Sequence, residues 1–534
     1  MNSDPEIARE VARRRTFAII SHPDAGKTTL TEHLLLIGGA VREAGAVRAR
    51  KSQRHATSDW LEIERQRGIS VSSSVMYFEH AGLRVNILDT PGHRDFSEDT
   101  YRTLVAADSA VMLIDAAKGI EAQTRRLFEV CRMRGIPIFT FINKLDRVGR
   151  EPLDLLDEIE EVLGIQAAPA QWPVGTGSDF RGLYDRVANR LLLFGPEGDE
   201  DTRVLHGAAD APEIRAAMGD AAESVVESLA LLDGAGGIFD PVAIRAGRQT
   251  PVFFGSALRS KGVAPFLEQF LALAPTPGPR ATDRGSVEPT AASFSGFVFK
   301  IQANMDPAHR DRVAFVRVCT GRFVRGESAV HVQSGTRIRL ARSTLFQARE
   351  RDEVDLAWPG DVVGLFDPGL FRIGDTLSES GDFTFRPLPT FSPERFARVE
   401  FGAVSNRKSL TKGLEQLTQE GLVQRFQEPG GMTVVLGAVG ELQFDVLRHR
   451  MWAEYKVELS LSPLPFEIAR WPALPFDPAI FRWNEGVKIL ADRDDRPVVL
   501  FRSQWDLDNA THKHPKLVLW PTPDSLEASA SDPA

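Results

Sequence analysis

The stretch SHPDAGKTT, Ser21 to Thr29, is the one whose reading decides the fold. The apolar run Thr16 to Ile20 leads into it, and Leu30, Leu34 and Ile37 follow at helical spacing until Gly38-Gly39 ends the pattern. A Gly-Lys-Thr segment reads as a phosphate-binding loop when it lies between a buried strand and a helix, and both neighbours are present. The backbone N–H groups from Asp24, Ala25 and Gly26 through Thr29 would then surround phosphate oxygens at a helix N-terminus. Lys27 would reach the β and γ phosphates, the Thr28 hydroxyl would ligate Mg²⁺, and Gly26 would let the backbone come close. Serine stands at position 21 where the pattern has glycine. That residue is less permissive if a positive φ is required there, although a different turn would accommodate it.

Outward from this loop, short apolar runs alternate with amphipathic stretches. Thr16–Ile20, Val85–Leu88, Ala110–Ile114, Ile136–Ile142 and Val252–Phe254 read as buried strands, which predicts a mostly parallel sheet with helices on both faces. Three more motifs follow these strands, at the edge where open α/β sheets bind ligands. In Asp89-Thr-Pro-Gly-His93 the aspartate can hold a Mg²⁺ shell and the Gly92 N–H can sense a γ-phosphate, although Asp, Pro and Gly also build ordinary turns. In Asn143-Lys144-Leu145-Asp146 the Asp146 carboxylate can accept two hydrogen bonds from the N1–H and amine of guanine, a donor pair that adenine lacks. Gly255-Ser256-Ala257-Leu258 would support the same base through its backbone. Arg67-Gly-Ile-Ser70 offers a further hydroxyl for Mg²⁺ on a segment that a γ-phosphate could order.

The chain has 534 residues, 43% hydrophobic and 26% charged, and a net charge of -9. That length calls for several domains with separate cores. The acidic balance argues against indiscriminate coating of nucleic acid, which rests on Lys and Arg neutralising phosphates. Local basic clusters at Arg13–Arg15 and at Arg42, Arg48, Arg50, Lys51 and Arg54 remain, and by themselves they read as solvated surface. No apolar run is long enough to span a membrane and no signal-peptide core is present. Cys131 and Cys319 lie in apolar segments and read as buried thiols of a reducing cytoplasm.

The organisation expected is multidomain: α/β, then β, then α+β. Residues 1–275 form the phosphate-loop domain, with a subdomain inserted at about 171–250, where the strand-helix rhythm weakens. The Pro-rich segment starting at Ala274 makes 276–292 a stiff linker. Gly-punctuated β-rich runs at Gly296–Gln302, Arg312–Cys319, Ala329–Val332, Arg337–Ala341 and Val362–Leu365 predict a β-barrel over 293–386. For 387–520 we expect a ferredoxin-like α+β domain: a strand at Thr433–Leu436, a helix carrying Phe444, Leu447, Met451 and Tyr455, and a strand at Lys456–Leu459. Residues 521–534 read as a disordered tail.

The phosphate loop, Arg-Gly-Ile-Ser, Asp-Thr-Pro-Gly-His, Asn-Lys-Leu-Asp and Gly-Ser-Ala-Leu, in this order, resemble the motif set of translational GTPases. Within that superfamily, Ser21–Thr29, Asp89–Thr103, Gly296–Val316 and Gly437–Val446 are similar to the bacterial class II peptide chain release factors, and the similarity covers the chain up to about residue 460. The resemblance implies a GTPase domain, a β-barrel and a compact third domain, binding GTP/GDP with Mg²⁺. It implies that Ser21 is the family's own variant and that Ser70 stands where related GTPases carry threonine. It also implies that Asp24 helps arrange the loop, with a monovalent cation as a candidate companion. His93 falls where the superfamily orients the attacking water, driven inward by large-subunit ribosomal RNA, and Lys27 stabilises the transferring phosphoryl group. The implied role is to bind the ribosome, promote departure of class I release factors and leave after hydrolysis, as a monomer engaging neither membrane nor DNA. The Gly38–Gln66 basic residues then become expected ribosomal RNA contacts. The alternatives are an elongation-type or ribosome-protection GTPase, for which further C-terminal domains are expected, and a nucleotide-dependent switch with little hydrolysis.

Overall fold

A computed structural model describes residues 4–40, 73–196, 198–234, 239–303, 312–340, 343–347, 350–388, 390–400, 407–431, 433–481 and 486–523. Ser70, the basic residues between 42 and 54 and residues 524–534 of the expected tail lie outside them.

The N-terminal domain is built on β1 (Arg14–Ser21), β2 (Ser74–His80), β3 (Leu83–Asp89), β4 (Ser109–Asp115), β5 (Ile138–Asn143) and β6 (Gln166–Pro169). Four strands follow in the insertion, β7 (Gln171–Val174), β8 (Gly182–Asp185), β9 (Arg190–Gly195) and β10 (Gly198–His206), before β11 (Gln249–Phe254) returns to the main sheet. The spatial order of that sheet is β2-β3-β1-β4-β5-β11-β6. All neighbours are parallel except β2, which pairs antiparallel with β3. The β2–β3 turn is Ala81-Gly82, with φ of 48° and 75° at its two residues, the left-handed pair that matches strand twist in a two-residue hairpin. Two of these strands, β2 and β6, were not expected. β6 has four residues and the apolar run within β2 is only Val75–Phe78, and a short apolar run by itself does not distinguish strand from helix.

Alternation along the strands sends side chains into two cores. Phe17, Ile19, Val111, Leu113, Phe139 and Phe141 pack on one face, while Ala18, Ile20, Ala110, Met112, Ile114 and Ile142 pack on the other. Phe17, Phe139 and Phe253 meet Phe266 and Phe270 of the helix Val263–Leu273 edge-on. A large aromatic truncated at such a site costs about 3–5 kcal/mol. The insertion contributes a separate antiparallel sheet in the order β10-β9-β8-β7, followed by helices at Pro212–Met218, Ala222–Gly234 and Pro241–Arg245.

The stiff linker expected at 276–292 contains a hairpin, Arg280–Thr282 with Gly285–Val287. It is pinned to the first domain by Arg280, which pairs with Asp108 at 2.9 Å and donates to the Val105 carbonyl at 2.8 Å. The long strands Ser295–Ala303 and Arg312–Thr320 then pair antiparallel within an eight-stranded sheet, buried along their whole lengths. In the third domain the strands Arg395–Glu400, Gln424–Gln427, Val434–Ala438 and Ser460–Leu464 and the helices Arg407–Gln419 and Glu441–Tyr455 follow in the order strand, helix, strand, strand, helix, strand. Taken in chain order, their spatial order is fourth, first, third, second, that of a split βαβ sandwich. Four further strands extend this sheet beyond Gln424–Gln427.

The strand expected at Lys456–Leu459 is not there. Lys456 takes a left-handed φ of 57° to close the preceding helix, Val457 and Leu459 drop into the core, and pairing begins only at Ser460. The Arg13–Arg15 cluster is likewise not free surface. Arg14 is buried and joins Asp361 of the barrel at 2.8 Å while also holding Glu10 at 2.7 Å. Arg317 reaches back from the barrel to Asp108 at 2.6 Å, and the Thr16 hydroxyl donates to the Gly360 carbonyl at 2.7 Å. Buried ion pairs of this kind fix a geometry more than they add stability. Here they fix the barrel against the base of β1.

Candidate functional site

Because β1, β3, β5 and β11 run parallel, their C-terminal ends share one edge of the sheet, and the phosphate loop and the three later motifs begin there. Ser21 is the last residue of β1, not a turn residue. The left-handed backbone falls instead at Asp24 (φ 66°) and Gly26 (φ 103°), so serine at position 21 carries no conformational cost. Its hydroxyl is buried without a hydrogen-bond partner among the described residues. Gly26 is required twice over, by its φ and because a Cβ there would collide with Asn143 Nδ2. Lys27 is buried and its ammonium is ion-paired with the buried Asp89 carboxylate, while Thr28 and Thr29 lie half-buried in the first turn of the helix Lys27–Ile37. The two groups expected to face phosphate and metal are thus already neighbours.

The expected base side is cross-linked to this loop. Asn143 Nδ2 donates to the Ala25 carbonyl and its Oδ1 accepts the Ala257 N–H, both at 2.9 Å. Lys144, held at φ 68°, donates to the Asp24 carbonyl at 2.6 Å and to the Asp115 carboxylate at 2.7 Å. A non-glycine residue in that conformation costs on the order of 1 kcal/mol, which the paired ammonium offsets. Burial opposes ionisation of Asp115, but the hydrogen bond and charge of Lys144 and the Ala117 N–H prevail and hold its carboxyl below the ordinary range. The Ser256 hydroxyl donates to Asp146 Oδ1 at 2.6 Å, fixing that carboxylate, and Leu258 is half-buried beside Ala257.

His93 and Gly92 follow Asp89 out of the sheet. The Gly92 Cα stands over Pro23 of the phosphate loop, where an added Cβ would lie 3.6 Å from the Pro23 Cα. The His93 side chain is 38% exposed, and its Nδ1 accepts the Asp95 N–H at 3.2 Å. In the neutral ring that acceptance assigns the proton to Nε2. Asp95 then reaches into the third domain, where its Oδ2 accepts the Leu442 N–H at 2.8 Å in the first turn of the helix Glu441–Tyr455.

Sequence reasoning missed Asp95 and Asp115. Asp115 closes β4 at the same edge, so the signal that marked Asp89, an aspartate ending a buried strand, would have found it. Nothing local marks Asp95, because its partner lies 347 positions away.

A guanine-type phosphate-loop domain followed by a barrel and a split βαβ unit defines a translational GTPase. Three family descriptions match in succession: Elongation factor Tu GTP binding domain over residues 12–276, Elongation factor G domain 2 over 293–380, and Class II release factor RF3, C-terminal domain over 385–511. Among curated relatives, a Peptide chain release factor 3 of Symbiobacterium thermophilum is 55% identical, with 96% of this chain and 98% of the relative covered. Those of Gloeobacter violaceus and Listeria innocua are 52% and 50% identical, each over 96% of this chain, and over 98% and 99% of their own lengths. A crystal structure of a Thermus thermophilus protein superposes with a TM-score of 0.68 at 26% identity, over 86% of this chain and 70% of that one. The chain belongs to the peptide chain release factor 3 family, and is a GTP-binding, GTP-hydrolysing factor of translation termination. Among the described residues, no helix is long and apolar enough to cross a membrane.

Proposed function

We propose that GTP lies along the edge formed by residues 24–29, 143–146 and 256–258, that its hydrolysis is triggered on the ribosome in the cytoplasm, and that the cycle promotes departure of class I release factors. The observation that carries this reading is the double bond set of Asn143, which ties the phosphate loop to the Ala257 loop through one side chain. Asp146, oriented by Ser256, accepts the N1–H and exocyclic amine of guanine. Lys27 leaves Asp89 for the β and γ phosphates, and the N–H groups of the loop and of Gly92 bond phosphate oxygens.

Thr28, Asp89 and Ser70 would supply the hard oxygens that suit Mg²⁺. Among the described residues there is no cluster of three or more His, Cys, Asp or Glu side chains that could hold a metal by itself. That donor set fits an ion shared with substrate phosphates and water. Held there, Mg²⁺ would supply positive charge against the phosphoryl oxygens. Water attacks the γ-phosphorus, the bond to the β-phosphate oxygen breaks, and GDP and phosphate leave. His93 orients that water when contact with large-subunit ribosomal RNA brings it inward, so the isolated monomer hydrolyses slowly. Asp24 arranges the loop through its left-handed backbone.

The test is GTP turnover with and without ribosomes, followed by release of a labelled class I factor from post-termination ribosomes. Turnover that ribosomes do not raise, or a class I factor that stays bound, would sink the proposal.

A further inference from the structure

The loop from Ser256 to Gly262 is held from outside the seven-stranded sheet. Asp199, near the start of β10 in the insertion, accepts the N–H groups of Gly262, Val263 and Ala264 at 2.7, 2.9 and 2.8 Å, capping the helix Val263–Leu273. Its own N–H donates to the Ser260 carbonyl at 2.7 Å. Gly198 beside it has a φ of 76°, and a Cβ there would lie 2.5 Å from the Ser260 oxygen and 2.6 Å from that of Arg259. No side chain fits into that approach. From β7–β8 of the same insertion, the Phe180 carbonyl accepts Lys261 Nζ at 3.0 Å.

The grip is transmitted inward. Ser256 and Lys261 exchange both backbone hydrogen bonds, at 2.8 and 3.1 Å, so the placement of residues 260–262 sets the placement of Ser256. The Ser256 hydroxyl in turn holds Asp146, and the neighbouring Ala257 N–H holds Asn143. Ser260 Oγ also lies 3.1 Å from His33 Nδ1 on the helix that follows the phosphate loop. The insertion therefore touches the candidate base site through this short, hydrogen-bonded loop, and also directly, where the Gly177 N–H donates to the Leu145 carbonyl at 2.8 Å.

We infer that Asp199 is a positioning residue for guanine-nucleotide binding, through which the inserted subdomain clamps the loop that orients Asp146. The inference rests on the reading of Asp146 and Ser256–Leu258 as the base site. Removing the carboxylate leaves three N–H groups without their acceptor and frees the loop to swing from the base. The nucleotide then leaves faster, while its entry is little changed.

The experiment is stopped-flow dissociation of a fluorescent GDP from the full chain and from Asp199→Ala, Asp199→Asn and Asp146→Asn. Asp199→Ala is expected to speed dissociation about tenfold, equivalent to about 1.4 kcal/mol, and Asp199→Asn, which keeps one acceptor oxygen, about threefold. In ribosome-stimulated turnover the same variants raise KM for GTP while kcat holds, a split that general destabilisation would not produce. Guanine stays preferred over xanthine in both, whereas Asp146→Asn reverses the preference. Dissociation within twofold of the parent in Asp199→Ala, alongside a reversed preference in Asp146→Asn, overturns the clamp and leaves the base site standing. An unreversed preference in Asp146→Asn removes the base site and the clamp together. Should Asp199→Ala not fold, Asp199→Asn decides alone, and an unchanged dissociation rate overturns the inference.

Discussion

Replacing Asp95 by alanine tests whether the third domain is coupled to the segment that carries His93. The Asp95 carboxylate accepts the Leu442 N–H at 2.8 Å, at the start of the helix Glu441–Tyr455. Gly440 makes this approach possible, since a Cβ there would collide with the Asp95 carboxylate. Next to it, Phe96 and Val446 pack together with Leu422 and Leu442 in a small apolar cluster. A capping carboxylate exchanged for alanine costs about 0.5–2 kcal/mol, part of it from the helix dipole. At about 1.4 kcal/mol per factor of ten, the ratio of docked to undocked helix should fall roughly tenfold, because the Phe96 cluster remains. The backbone bond from Asp95 to His93 does not involve the Asp95 side chain, so nucleotide affinity should be unchanged. The assay is hydrogen–deuterium exchange over residues 441–447 of the full chain, with GTP hydrolysis on ribosomes measured in parallel. Exchange there should quicken about tenfold and stimulated hydrolysis should fall. Unaltered protection of residues 441–447 would refute the coupling, whatever happened to hydrolysis.

Asp146→Asn removes an ionised acceptor of two hydrogen bonds, each worth about 1.5–3 kcal/mol, so GTP affinity should drop at least about a hundredfold while a xanthine nucleotide gains, as competition binding would read out. For His93→Ala we expect nucleotide binding to persist and ribosome-stimulated hydrolysis to vanish; stimulation that survives would remove His93 from the mechanism. Burial opposes the charge on Asp361, but Arg14 and Arg84 outweigh it and hold its carboxyl below the ordinary value of 3.8. A depressed carboxyl stabilises the fold above its unfolded value, and that contribution is lost as pH falls through the folded one. Urea melts should therefore show the parent losing stability in acid more steeply than Asp361→Asn, which begins about 3 kcal/mol less stable because it strands buried arginine; parallel acid limbs would count against the junction.

The legible part of this protein is the part written locally. A buried strand leading into Ser-His-Pro-Asp-Ala-Gly-Lys-Thr, into Asp-Thr-Pro-Gly-His or into Asn-Lys-Leu-Asp places each motif at a strand end, since strand period and turn chemistry are properties of neighbouring residues. Parallel order then brings those ends to one edge. Lys456–Leu459 misled because its apolar residues are buried below a helix cap instead of on a pleat, and a burial pattern alone does not say which. Arg13–Arg15 misled because a charge run looks the same whether it meets solvent or the buried Asp361 of another domain.

What the sequence by itself determined is the kind of site, the base it prefers and the order of the domains, all carried by short-range patterns. Only the tertiary structure decided that Ser21 ends a strand without strain, that Lys27 lies against Asp89, that Asp95 ties the third domain to the segment after Asp89, and that Asp199 ties the inserted subdomain to the loop beyond Ser256. These bonds join residues far apart in the chain, and their partners are set by how whole elements pack, a choice that no window of neighbouring residues contains.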